Sequence, residues 1–275
     1  MKSWQAAPGG KPGHQKEYSD TAIETLLMVR KVFHLKLRQL EGFAASIFRL
    51  MRTGLRIPDY TTICRRGGKL KIKIPRMDKG EIHAILDSTG LKVYGEGEWK
   101  VRQHGYSKRR TWKKFHISID EDGEVRAVEL TGNNVDDAAK AEDLLRDDKG
   151  RLESVTGDGG YDKEKVYRQL DDKVRVLIPP QKNAKIRRHG NCKGPPHKRD
   201  ENLRRIRKKG RKGWKKESGY HKRSRVETTM FRFKTAFGDR LMARSEVNQV
   251  AEARIMASAL NRMSALGMPK SYPVI

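Results

Sequence analysis

Cysteine is nearly absent: Cys64 and Cys192 are the only two in 275 residues. Their wide separation excludes a disulfide scaffold and a zinc framework, and points to a reducing, cytoplasmic compartment. Long apolar runs are missing too, so no membrane-spanning helix is expected. The opening MKSWQAAPGG lacks the apolar stretch of a secretory signal. There is no internal repeat, which argues against a repeat architecture. Acids are in short supply: 34 Asp and Glu stand against 61 Lys and Arg, a formal net charge of +27. Such an excess repels itself unless an acidic partner neutralises it. Nucleic acid is the first candidate partner, an anionic membrane surface the second.

What is present is a change of texture along the chain. Residues 1–17 read as a flexible basic arm, rich in Gly and Pro. Residues 18–76 read as a helical, helix-turn-helix-like region. TAIETLLMVRKVF carries apolar residues at helical spacing behind a Ser19 cap, LRQLEGFAASIFRLM is a second helix, and PDYTTICRR is a third with Pro58 at its first position. That third helix would present Arg65 and Arg66 to DNA, although three short helices are equally a plain packing unit. From 77 to 267 the pattern becomes strands and helices in the order β-β-β-α-β-α-β-α-α. HAILDSTGLKVY, KFHISID and EVRAVEL are strands, the last two forming a hairpin. LESVTGD and VRVLIPP are strands reached through helical DDAAKAEDLL and KEKVYRQL. Right-handed crossovers would set LESVTGD beside HAILD in a mixed five-stranded α/β sheet flanked by helices. Residues 181–218 read as a basic loop, part of a run (181–225) holding 19 Lys or Arg against three acids, and 268–275 as a tail. Trp214 in that loop is a candidate for stacking on a base, or for packing beneath it. The aromatic and cationic segment 97–114 offers a second DNA surface or a solvated hairpin extension.

Two acids stand out within the sheet. Asp87 lies on a strand among apolar residues, where an unpaired carboxylate costs several kcal/mol, roughly. Asp158 ends a strand and runs into GGYD, and ligand sites in α/β sheets favour such strand ends. If the strands are neighbours, the two converge. Each also has a plainer reading, Asp87 as a cap for Ser88 or Thr89 and Asp158 as a turn former. Asp120, Asp136 and Asp162 are rivals, of which Asp120 reads as a hairpin turn residue and Asp136 as a helix start. A third acid, Glu227, stands inside the basic stretch GYHKRSRVETTMFRFKTAF. At about 100° per residue, Tyr220, Arg223, Glu227 and Lys234 share one edge of a helix. Val226, Met230, Phe233 and Phe237 form the apolar stripe beside it. Carboxylates gathered there suit Mg²⁺ or Mn²⁺, and two such ions can clamp a phosphoryl transfer. Arg223 and Glu227 are also an ordinary i,i+4 ion pair.

The spacing Y-x2-R-x3-E-x6-K resembles the YREK signature of DDE transposases of bacterial insertion sequences, in the broad insertion-sequence-four/five superfamily. LDSTGLKVYGEGEW, GDGGYD, LIPPQKNAK, GYHKRSRVET and LMARSEVNQVAEARIMASALN are similar to the insertion-sequence-five group, and the likeness runs from about residue 4 onward. The resemblance implies an RNase H-like catalytic domain. It assigns Asp87, Asp158 and Glu227 to the metal-binding triad, with Asp87 bridging two Mg²⁺ or Mn²⁺ ions. It further implies that Tyr220, Arg223 and Lys234 contact phosphates of the transposon end. Terminal inverted repeats and target DNA are the implied partners, with a dimer on DNA and a place at the bacterial nucleoid. Family members often carry further residues ahead of the point where this chain starts, and some carry a β insertion between the second Asp and the Glu, which is not expected here. Two other readings share these residues: a metal-dependent RNase H-like nuclease that cuts without joining, and a basic DNA-binding protein without catalysis.

Overall fold

A computed structural model describes residues 4–7, 15–78, 80–93, 112–189 and 197–267. The segment 97–111, expected above as a DNA surface, lies outside the described residues. In chain order the first elements are α1 (Asp20–Val32), α2 (Leu37–Leu50) and α3 (Tyr60–Gly67). There follow β1 (Ile82–Val93), β2 (Trp112–Ile119), β3 (Val125–Gly132), α4 (Ala141–Leu145) and β4 (Leu152–Thr156). Next come α5 (Glu164–Arg168), β5 (Arg175–Leu177) and α6 (Lys198–Ser218). The last are α7 (Ser224–Phe237), β6 (Arg240–Leu241) and α8 (Glu246–Leu266). The chain divides into two compact units: 1–75 with 92–110 and 233–275, and 76–91 with 111–232.

In the first unit, α1 begins where expected, with the Ser19 hydroxyl accepting from the Ala22 amide. Helix α3 starts differently. Asp59 caps it, its carboxylate accepting from the Thr61 and Thr62 amides, so Pro58 stands ahead of the cap and not at the first helical position. Ile23, Leu26 and Leu27 of α1 pack with Leu40, Ile63, Ala251 and Ile255 into one apolar cluster. Helix α8 thus completes the core of the N-terminal helices. A buried ion pair, Lys31 with Glu252, joins α1 to α8. The Glu252 carboxylate also accepts from the Met242 and Ala243 amides, each at 2.8 Å.

The second unit holds the mixed sheet, in the order β3-β2-β1-β4-β5. β2 and β3 are antiparallel; β1, β4 and β5 are parallel neighbours. This is the RNase H-like arrangement, and it sets the LESVTGD strand beside the HAILD strand as their crossover requires. The sixth strand, β6, was not expected; it pairs in parallel with Lys92 and Val93 at the end of β1, within the first unit. One sheet face buries Ala84 and Leu86 of β1 against Leu144, Val155, Tyr161 and Val166. Two expectations need correction. The stretch DDAAKAEDLL, 136–145, is not one helix but a 3-10 turn, Asp137–Ala139, followed by the short α4. The second half of the basic loop 181–218 is the helix α6, kinked at Gly210 (φ 70°). Leu203 and Trp214 supply its buried face, an apolar signal too sparse to register among so many cations.

Candidate active site

β1 and β4 pair with Ile85 opposite Thr156. Two residues further along each chain stand Asp87 and Asp158. Two steps keep the face of a pleated strand, so both acids extend the same side of the sheet where β4 ends. Each also makes the bond of its plainer reading. Asp87 Oδ1 accepts from the Ser88 amide at 2.9 Å, and Asp158 Oδ1 from the Gly160 amide at 2.8 Å. Each therefore has one oxygen tied to backbone, and the second oxygen of Asp87 faces Arg223.

The third acid comes from α7. Gly219 takes a left-handed φ of 73° to close α6, a conformation glycine adopts without strain. A 3-10 turn, Tyr220–Arg223, leads into α7. The four signature residues therefore do not share one helix edge. Tyr220 turns into the core against the Trp214 ring, 5.3 Å between centroids, while Arg223 reaches toward Asp87 and Glu227. Arg223 Nη1 donates to Glu227 Oε1 at 2.7 Å, and its Nη2 lies 3.4 Å from Asp87 Oδ2. One guanidinium thus bridges two of the three acids. Val226 and Met230 seat the helix, and Thr229 donates to the Gly123 carbonyl at 3.2 Å.

The electrostatics show a crowded acidic site. Burial raises the Asp87 carboxyl above the usual carboxylate range, and the charges of Asp158 and Glu227 add to the rise. The Ser88 amide and the Arg223 guanidinium pull the other way without winning. On Arg223, burial disfavours the charge, but Asp87, Tyr220 and Glu227 outweigh it and the guanidinium is held more firmly protonated. The donor set is all oxygen, the chemistry of a hard divalent cation. Among the described residues, no three Asp, Glu, His or Cys side chains gather closely enough to surround an ion in this conformation. Arg223 occupies the space between Asp87 and Glu227, and its buried Nε makes no hydrogen bond among the described residues. In donor chemistry the acids suit a divalent cation, while Arg223 holds the positive charge between two of them.

The other expected residues fall as follows. Lys234 is half-buried near the end of α7. Arg65 is exposed on α3 and donates to Thr62 Oγ1 at 3.3 Å. Arg66 is engaged within its own unit, donating to the Tyr18 carbonyl and the Asp20 carboxylate. Trp214 is fully buried, its Nε1 donating to Asn202 Oδ1 at 3.3 Å, so its ring packs in the core and has no face for a base. Asp120 accepts from the Asp122 and Glu124 amides as a hairpin turn residue. Asp162 binds Tyr167, Arg199 and the Gln181 amide, and Asp136 pairs with Lys165.

One acid beside the site was not singled out from the sequence. Asp137 follows Asp136 in the first 3-10 turn. Its Oδ1 lies 3.3 Å from both Lys114 Nζ and His116 Nδ1. Hydrogen bonding from His116, then from Ser88 and Lys114, holds its carboxyl down to about 2. Nothing local in GNNVDD marks it, because its partners come from β2 and β1.

Fold and site together define a mixed α/β protein with an acidic cluster at the end of adjacent parallel strands. Two family models described as the transposase DDE domain match residues 1–96 and 78–262. The second covers well over half of the chain, and the chain belongs to this DDE transposase family. The family is one of phosphoryl-transfer enzymes acting on DNA, and its members generally use divalent metal ions. Among solved structures, the chain is similar to the Drosophila P element transposase in its strand transfer complex. The identity is 13% and the TM-score 0.34, over 94% of this chain and 62% of that one. The chain therefore spans less than two thirds of the length of that transposase. Among the described residues, no helix is long and apolar enough to cross a membrane.

Proposed function

We propose that this chain is an insertion-sequence transposase that binds transposon-end DNA and carries out metal-dependent strand cleavage and strand transfer. The observation that carries the reading is the meeting of Asp87 and Asp158 on neighbouring parallel strands with Glu227, linked through Arg223. The signature spacing through Tyr220, Arg223, Glu227 and Lys234 supports membership of the insertion-sequence-four/five superfamily.

Asp87, Asp158 and Glu227 would hold Mg²⁺ or Mn²⁺, two ions in this reading. Bound divalent ions supply stabilisation of the negative charge that develops on the transferring phosphate. The side chains do the rest. Arg223 neutralises Asp87 and Glu227 in this conformation, and its forked donor set is suited to grip a phosphate when withdrawn from them. Tyr220, packed on Trp214, fixes the turn that aims Arg223. Lys234 contributes a compact charge further along α7. Exposed cations of α6, among them Arg205, Lys208 and Lys212, track the DNA backbone, and Arg65 on α3 provides a second anchorage. Joining two ends calls for a dimer on DNA.

The test is incubation with DNA carrying the flanking inverted repeats, with Mg²⁺ or Mn²⁺, followed by gel analysis. Cleavage at the repeat ends and joining of a pre-cut end are expected. Cutting without joining would make the protein a nuclease, and salt-sensitive binding without cutting a non-catalytic DNA binder. Asp87→Asn, Asp158→Asn and Glu227→Gln should each abolish cleavage while DNA retention in a gel shift persists. Undiminished cleavage by any of the three would remove that residue from the triad.

A further inference from the structure

The triad leaves part of its surroundings unused. Asp137 presents two different faces. Its Oδ1 is held between Lys114 and His116, and its Oδ2 is the oxygen nearer Gly160. A methyl group placed on Gly160 would lie 2.9 Å from Asp158 Oδ1 and 3.9 Å from Asp137 Oδ2. The two carboxylates thus flank one glycine. Lys114 is itself anchored, donating to the Val135 carbonyl at 2.9 Å, so the clamp on Oδ1 is fixed.

One buried group points to a ligand at this spot. The Tyr161 side chain is almost wholly buried, yet its hydroxyl has no hydrogen-bond partner among the described residues. Burial opposes its ionisation first, followed by the charges of Asp137, Asp87 and Asp158. The ring is locked there by close approach. A Cβ at Gly157 would come within 2.9 Å of Tyr161 Cδ2, so only glycine leaves it room. A carboxylate clamped on one oxygen, beside a second carboxylate and a buried hydroxyl donor, is suited to a hydrated divalent cation.

We propose that Asp137 is a fourth carboxylate of the metal site, holding a divalent cation on the Asp158 side together with the Tyr161 hydroxyl. The inference rests on the transposase reading, since it assigns a further residue to the same site. Lys114 and His116 are positioning residues that fix the orientation of Asp137.

Mn²⁺ binding to the full chain, followed by electron paramagnetic resonance or calorimetry without DNA, tests it. Asp137→Asn keeps the shape and removes the charge. It should weaken Mn²⁺ binding by at least about tenfold, the loss that removing even an outer partner of a metal ligand brings, while circular dichroism shows the fold retained. Unchanged Mn²⁺ affinity in a folded Asp137→Asn protein overturns the proposal, because a carboxylate that only anchors Lys114 and His116 would lower stability without touching metal affinity. Should Asp137→Asn fail to fold, Tyr161→Phe serves instead: a loss of Mn²⁺ affinity is expected, and none overturns the proposal. Asp87→Asn separates the two readings. If it loses Mn²⁺ while Asp137→Asn does not, only the fourth carboxylate falls. If the unaltered protein binds no Mn²⁺, the metal-dependent reading falls with it.

Discussion

Arg223 has two tasks that cannot be performed together. In the structure it spans Asp87 and Glu227, a substitute for positive charge between acids that would otherwise repel. Grip on a phosphate requires the same guanidinium to leave. Arg223→Ala should therefore bind Mn²⁺ several-fold more tightly, since a competitor is gone, and yet cleave and retain end DNA poorly. Weaker Mn²⁺ binding in this variant would show that the arginine supports the cation site and does not compete for it. Asp137 makes a second expectation at this scale. Its carboxyl is held down to about 2, with the His116 hydrogen bond the largest cause. A depressed carboxyl contributes stability that is complete above its ordinary value and is lost as pH falls through the folded value. The stability gap between the protein and its Asp137→Asn variant should thus narrow between about pH 4 and 2, as followed by denaturant unfolding.

Elements explain which of these residues meet. Parallel pairing of β1 with β4 brings Asp87 and Asp158 together, and the turn between α6 and α7 delivers Arg223 and Glu227. The alternation of the strands and the crossover rule made the first meeting legible in the sequence. The second was legible only as spacing. A 100° helical wheel places Tyr220 beside Glu227, whereas the 3-10 turn rotates it into the core against Trp214. Such a turn leaves no mark in apolar periodicity. The helical character of 198–218 was hidden for a related reason: with few buried residues, α6 gains little from an apolar stripe and is carried by local propensity and by the docking of Leu203 and Trp214. In the first unit, α1 and α8 are tied by Lys31 and Glu252, both almost wholly buried. Burial lowers the Lys31 ammonium below its ordinary value, and the Glu252 carboxylate opposes that. Lys31→Met leaves Glu252 unpaired and should cost about 3–5 kcal/mol in chemical denaturation. A cost below about 1 kcal/mol would show the pair to be no better than a surface contact.

At the scale of the whole chain, charge dominates. A net +27 with many exposed cations predicts DNA binding that weakens steeply with salt. Lys234→Ala should lower end affinity and reduce the slope of log affinity against log salt by about one. Parallel salt lines for the variant and the parent would place Lys234 away from phosphate.

Composition, strand alternation and motif spacing by themselves determined the basic character of the protein, the order of its strands and the three acids worth pursuing, because each depends on residues near in sequence or on simple periodicity. Only the tertiary structure decided that Arg223 stands between Asp87 and Glu227, that Trp214 and Tyr220 turn inward, and that Asp137 and Asp158 flank Gly160. Those outcomes depend on side chains meeting across β1, β2 and α7, and distance in space between distant residues has no signature in the order of the chain.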